Sequence, residues 1–202
     1  MNNLKTGDLL LFNNTSKSGF YEYFSDMIRY GTHSNYTHIG MILKDPTFLN
    51  KNYNGLFLWE SSYEGIPDIS DGKIKVGVQI VPLEEVLKRN DDIFICRQIN
   101  CDKNLFNDKK LKEINDVVYN KPYDIYPLDW INALLKKDKE PQKTDRFWCS
   151  ALVGYIYTKV GILNENTDWS ILKPCDYSLN GENLNFNKEC KLEDNEFKIK
   201  YW

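Results

Sequence analysis

Short apolar runs, separated by polar breaks marked with glycine and proline, fill the first half of the chain. Asp8-Leu9-Leu10-Leu11-Phe12 predicts a first strand, with Gly7 as the turn residue before it. Thr37-His38-Ile39-Gly40-Met41-Ile42-Leu43 predicts a second, closed by Lys44-Asp45-Pro46. Leu56-Phe57-Leu58-Trp59-Glu60-Ser61-Ser62 is the third. Val76-Gly77-Val78-Gln79-Ile80-Val81-Pro82 is the fourth, stopped where proline withdraws a ladder donor. One or two helical turns follow over Leu83 to Lys88. Ile93-Phe94-Ile95-Cys96-Arg97-Gln98-Ile99 is the fifth strand. Between the first two, Phe20, Tyr23, Phe24, Met27 and Ile28 share one face of a short helix over Phe20 to Tyr30.

After residue 100 the period lengthens. Leu105, Leu111, Ile114, Val117 and Val118 recur at helical spacing across Asn104 to Asn120, and Pro122-Tyr123-Asp124 ends that helix. A short helix is expected over Leu128 to Leu135, then a charged loop to Asp145. Cys149 to Val160 is the strongest helix: Leu152, Ile156 and Val160 recur every four residues and Gly161 is a natural stop. The tail, 162–202, is rich in Asn and Asp and predicts at most one late strand, Phe197 to Trp202. Strands come first and helices later, without βαβ alternation, which predicts an α+β fold. With no repeat and no low-complexity linker, the 202 residues are read as one domain, with a core over about 6–160 and an irregular extension over 162–202.

Composition narrows the function classes. Basic and acidic side chains number 26 and 29, a formal charge of −3, so no basic excess points to nucleic acid. No run approaches the roughly 20 apolar residues of a membrane span. Met1-Asn2-Asn3-Leu4-Lys5 lacks the charged start and long apolar run of a signal peptide, so the expected location is cytoplasmic, or the virion for a viral source. Five irregularly spaced cysteines argue against a disulfide framework. Cys96 and Cys101 are too far apart for a zinc-binding thiolate pair, and no second pair follows. No cofactor is expected.

The candidate chemistry centres on Cys149. A thiol in the first turn of a helix meets the positive end of the dipole and unpaired N–H groups, which favour the nucleophilic thiolate. The chain has two histidines, His33 and His38. In strand alternation His38 shares its face with Gly40 and Ile42, and Gly40 is expected to leave open space beside the ring. Glu60 closes the third strand. If strands two and three are antiparallel neighbours, Glu60 comes near His38 and accepts its second N–H, with Glu64 and Asp68 as competitors. Taken singly these are ordinary residues: a polar strand histidine, a solvated carboxylate, a buried thiol. Together they supply base, orienting acid and nucleophile. Cys96 reads as a core residue, and Cys101, Cys175 and Cys190 lack a partner histidine.

These pieces, in this order, resemble the circularly permuted papain-like proteins of the NlpC/P60 superfamily, nearest the YiiX/YaeF-type amidases and their poxvirus relatives, with lecithin:retinol acyltransferase-like proteins as more distant kin. The matching segments are Thr6–Phe12, Tyr36–Met41, Trp59–Ser62, Lys121–Asp124 and Trp148–Val153. As in the permuted group, the cysteine follows the histidine. The resemblance implies a small antiparallel sheet or half-barrel packed on helices, with the site between them. It also implies His38 as base, Glu60 as the polar third member and Cys149 as nucleophile. Tyr36, two before the histidine and on its face, either lines the site or packs. The expected activity is hydrolysis or acyl transfer at a peptide, amide or acyl-lipid bond through a thioester. The rival is a binding module that kept the fold and lost the activity. A metal-dependent hydrolase is disfavoured, since no HExxH-type spacing occurs. The 13–36 insert and the tail are expected to shape the cleft, with Asn164 to Asn187 as a candidate cover.

Overall fold

Backbone pairing gathers the apolar runs into one antiparallel sheet. In a computed structural model of the protein, residues 3–13, 34–63, 65–89, 93–124, 143–181 and 184–199 are described. The helices expected over Phe20–Tyr30 and Leu128–Leu135 lie outside the described residues, as do His33 and Glu64. The strands are β1 (Leu9–Asn13), β2 (His38–Lys44), β3 (Leu56–Ser62), β4 (Gly77–Pro82), β5 (Ile93–Asn100) and β6 (Lys191–Ile199). They lie in the order β4-β3-β2-β1-β5-β6, and every neighbouring pair is antiparallel. Among the described residues three α-helices accompany them: α1 (Leu83–Arg89), α2 (Asp108–Val118) and α3 (Cys149–Val160).

Both faces of the sheet are covered, which is why its strands read as continuous apolar runs and not as alternation. Leu9, Leu11, Ile39, Met41, Trp59 and Ile80 point to the face that buries α2 and α3. Leu10, Phe12, Ile42, Leu58, Val81 and Phe94 point to the other, where Leu83, Val86 and Leu87 of α1 pack. Helix α3 packs most extensively against the 3-10 turn over Trp169–Ile171 and, on the sheet, against β2 and β3. It is buried on nearly every side, as its all-round apolar composition requires. At its end Gly161 turns left-handed, with φ 94°, and returns its N–H to Thr158.

The helix expected over Asn104 to Asn120 is divided. Asp102 caps a 3-10 turn over Lys103–Phe106. The Asn107 side chain then accepts from the Lys110 N–H at 3.1 Å and starts α2. An asparagine inside an apolar period competes for backbone donors and resets the helix start.

The tail differs most from expectation. It carries 3-10 turns over Trp169–Ile171 and Pro174–Tyr177, and β6 begins well before Phe197. Ile162, Leu163, Trp169, Leu172 and Tyr177 are buried in the same cluster as α3. Ser150 Oγ donates to Leu172 O at 2.7 Å, and the Tyr177 hydroxyl donates to Ser150 O at 2.9 Å. The buried Arg97 guanidinium donates to the Tyr177 carbonyl at 2.9 Å and to that of Ser178, and its Nε donates to Glu193 O. Ile162, Leu163, Trp169, Leu172 and Tyr177 thus join the core around α3, so part of Asn164 to Asn187, expected as a cover for the cleft, serves as core packing.

Candidate functional site

The start of β2, the end of β3 and the start of β4 share one end of the sheet, because neighbouring strands run in opposite directions. Alternation turns His38, Glu60 and Gln79 to the same face there. The chain entering α3 is tied to this end as well. Ser61 Oγ donates to Phe147 O at 2.6 Å, and Phe147 bridges to Tyr123.

His38 Nε2 donates to Glu60 Oε2 at 2.7 Å. The His38 side chain is 16% exposed and that of Glu60 is fully buried. Phe12 meets the imidazole edge-on, with ring centroids 4.6 Å apart. Cys149 is close enough to His38 to act on its ionisation. With Nε2 on Glu60, Nδ1 is the ring nitrogen that remains for the sulfur. Burial alone would lower the His38 pKa. The charge and hydrogen bond of Cys149, then the hydrogen bond and charge of Glu60, outweigh burial and raise it well above the usual 6.5.

Gly40 does not leave open space beside the imidazole, as its lack of a side chain led us to expect. A Cβ there would stand 2.7 Å from Leu58 Cδ1 and 3.2 Å from Glu60 Cβ. The room over Gly40 is taken by β3 side chains, and that close approach lets Glu60 lean toward His38.

The rival Asp68 is engaged elsewhere. It accepts from Lys75 Nζ at 3.0 Å, from Ser70 N at 2.7 Å and from Ile80 N at 3.2 Å. Tyr36 donates its hydroxyl to Glu196 Oε2 at 2.7 Å, joining the approach to β2 to the last strand. Burial and that carboxylate raise its pKa. Cys96 is buried, and burial followed by the charge of Asp8 pushes its thiol up to about 12.

Sequence reasoning missed Gln79. It stands opposite Glu60 in the β3–β4 register, and its Nε2 donates to Glu60 Oε1 at 3.0 Å. Gln79 Oε1 is buried with no hydrogen-bond partner among the described residues. The signal was present: one amide among Val78, Ile80 and Val81, facing the strand that carries Glu60.

Cys149 is 2% exposed and is the first residue of α3. The N-cap residue, Trp148, has extended backbone (φ −86°, ψ 171°) and makes no side-chain cap hydrogen bond. Ser150, next in line, directs its hydroxyl to Leu172 O instead. The first-turn N–H groups thus have no cap side chain from Trp148, an arrangement suited to binding negative charge.

No protein-family model matches the sequence, and no curated protein matches it. Among solved structures the chain is similar to the metalloprotein YiiX of Escherichia coli O157:H7. That likeness has a TM-score of 0.50 at 17% sequence identity and covers 98% of each chain. The α+β fold is thus YiiX-like over nearly its whole length. Among the described residues no helix is long and apolar enough to cross a membrane.

Proposed function

We propose that the protein is a cysteine-dependent acyl-transfer enzyme of the permuted papain-like NlpC/P60 type. Its substrate class is a peptide, amide or acyl-lipid bond. One observation carries the reading: a single imidazole, His38, hydrogen bonds to a buried carboxylate and is close enough to a thiol at a helix start for that thiol to act on its ionisation.

His38 takes the Cys149 proton as the sulfur attacks the substrate carbonyl carbon, and the carbonyl oxygen becomes an oxyanion. The N–H groups at the start of α3, that of Cys149 among them, face this charge. As the tetrahedral intermediate collapses, the bond to the leaving amine or alcohol breaks and His38 gives it a proton. A thioester on Cys149 remains. His38 then takes a proton from water or an acceptor hydroxyl, whose oxygen attacks the thioester and releases Cys149. Glu60 keeps the imidazole oriented and stabilises its protonated form throughout, and Gln79 holds Glu60.

YiiX is named a metalloprotein. Among the described residues here, no group of three His, Cys, Asp or Glu side chains is arranged to hold a metal ion. His38 already has Glu60 on Nε2. The donor set does not fit a metal, and no step runs through one.

The 2% exposure of Cys149 favours one second reading, an inactive binding module of the same fold. Alkylation of the native protein by iodoacetamide across pH separates the two, with His38→Ala as the control. The enzyme reading expects Cys149 to be labelled at neutral pH and the labelling to be lost in the variant. A Cys149 that reacts only after unfolding overturns it and leaves the binding module.

A further inference from the structure

The chain brings a second pair of reactive side chains together away from His38. In the β5–β6 ladder Asn100 pairs with Lys191. One step further along this antiparallel register would set Cys101 opposite Cys190, and each thiol is near enough to act on the ionisation of the other. Facing residues on antiparallel strands hold their Cβ atoms about 4.5–5.5 Å apart, near the about 3.5–4.5 Å that a disulfide spans. Both are free thiols in the structure. Their surroundings differ. Cys190 is buried, at 8% exposure. Cys101 is half-buried and lines a cleft of about 350 Å³ together with Lys5, Lys44, Lys103 and Phe106. Lys44 and Lys103, with Lys5 held against Asp8, outnumber Asp45, the one carboxylate of the lining.

We propose that Cys101 and Cys190 form a dithiol–disulfide couple that exchanges with a small anionic disulfide, such as glutathione disulfide, admitted by the lysine-lined cleft. Cys101 is the entering thiol. Its thiolate attacks one glutathione sulfur, the S–S bond of the oxidant breaks, and one glutathione leaves and takes up a proton. Cys190 then gives up its proton and attacks the Cys101 sulfur. The mixed disulfide breaks, the second glutathione leaves, and the Cys101–Cys190 bond is formed. Two protein thiols are oxidised and one glutathione disulfide is reduced to two glutathiones.

The surroundings set the pace. Burial pushes Cys101 up to about 11, and the neighbouring Cys190 and Asp102 add to this while Lys5 opposes it. Burial also raises Cys190, with Glu189 and Asp102 adding to it and the hydrogen bond from Cys101 opposing. Exchange is therefore slow at neutrality and speeds up about tenfold per pH unit as the thiolate fraction grows. The couple uses neither Cys149 nor His38, so its fate is independent of the acyl-transfer reading.

The test is to incubate the native 202-residue chain with glutathione disulfide under mildly alkaline conditions, alkylate the remaining thiols, and map the peptides by mass. The wild-type chain is expected to carry a Cys101–Cys190 crosslink and no retained glutathione. Cys190→Ser is expected to hold glutathione on Cys101, and Cys101→Ser to form neither product. A wild-type chain that retains glutathione on Cys101, crosslinks other cysteines, or leaves both thiols free until it is unfolded overturns the proposal. The wild-type map stands alone should either variant fold poorly.

Discussion

Glu60 reaches His38 along the diagonal of the β2–β3 ladder. Met41 pairs with Trp59, so the residue facing Glu60 is Gly40 and not the histidine. Diagonal neighbours in a sheet stand about 7–8 Å apart, within reach of long side chains. A carboxylate on a two-carbon stem closes the gap to 2.7 Å only because nothing projects from Gly40 between them.

Filling that gap disturbs the pair. Gly40→Ala sets a methyl group against Leu58 and Glu60, and overpacking of this kind costs about 1–3 kcal/mol. Urea unfolding is expected to show that loss. The His38 resonances are expected to titrate at lower pH as Glu60 is pushed aside. An unchanged titration would show that Glu60 does not depend on Gly40.

On the proposed acyl-transfer reading, Cys149→Ala is expected to abolish turnover while leaving the circular dichroism spectrum and unfolding midpoint close to wild type. Turnover in that variant would remove the thiol from the mechanism.

Glu60→Gln keeps the shape and removes the charge. Turnover is expected to fall about 10- to 100-fold, less than the about 10²- to 10⁴-fold contribution of a general base itself. The His38 titration midpoint is expected to move down, since Glu60 is among the groups that hold it up. A full rate with an unmoved midpoint would turn attention to another carboxylate.

The raised pKa of His38 ties stability to pH. The folded protein binds the imidazole proton more tightly than the unfolded chain does. Below the unfolded value of about 6.5 both forms are protonated and the full contribution is present. It declines as pH rises from there and is lost once pH passes the higher folded value. The stability advantage of wild type over His38→Gln, measured by urea unfolding at a series of pH values, is expected to shrink with rising pH. An advantage that grows with pH would reverse the sign and contradict the raised value.

Tyr157 offers a test away from the site. It is fully buried, and its hydroxyl donates to Gly7 O at 2.5 Å, joining α3 to the turn before β1. Tyr157→Phe strands that carbonyl and is expected to cost about 1–3 kcal/mol in unfolding. A smaller loss would mean that the carbonyl finds another donor.

Much of the architecture was legible in the sequence. The apolar runs around 9, 38, 56, 77 and 93 all became strands, because each is too short for a helix and bounded by turn residues. Helix α3 spans the predicted residues, since its period and its terminal Gly161 agree. The fate of the tail was not legible. Trp169, Leu172 and Tyr177 are spaced by 3-10 turns that match neither common period, so their burial depends on partners across the chain. Strand β6 alternates poorly because it lies at a sheet edge and keeps only Leu192 and Ile199 buried. The approach of Glu60 to His38 followed from strand order. Gln79 needed the register, which no local pattern supplies.

Strand β6 also shields the rest of the sheet from other molecules. Its residues Lys191, Glu193, Asp194, Glu196 and Lys198 place charge along the outermost hydrogen-bonding edge, where another chain would otherwise add itself. Beneath lies Phe94-Ile95-Cys96, an apolar stretch of the kind that seeds cross-β stacking when its backbone is bare. A chain shortened before Lys191 would expose that edge, so the same charged strand that closes the fold also keeps the protein from aggregating through it.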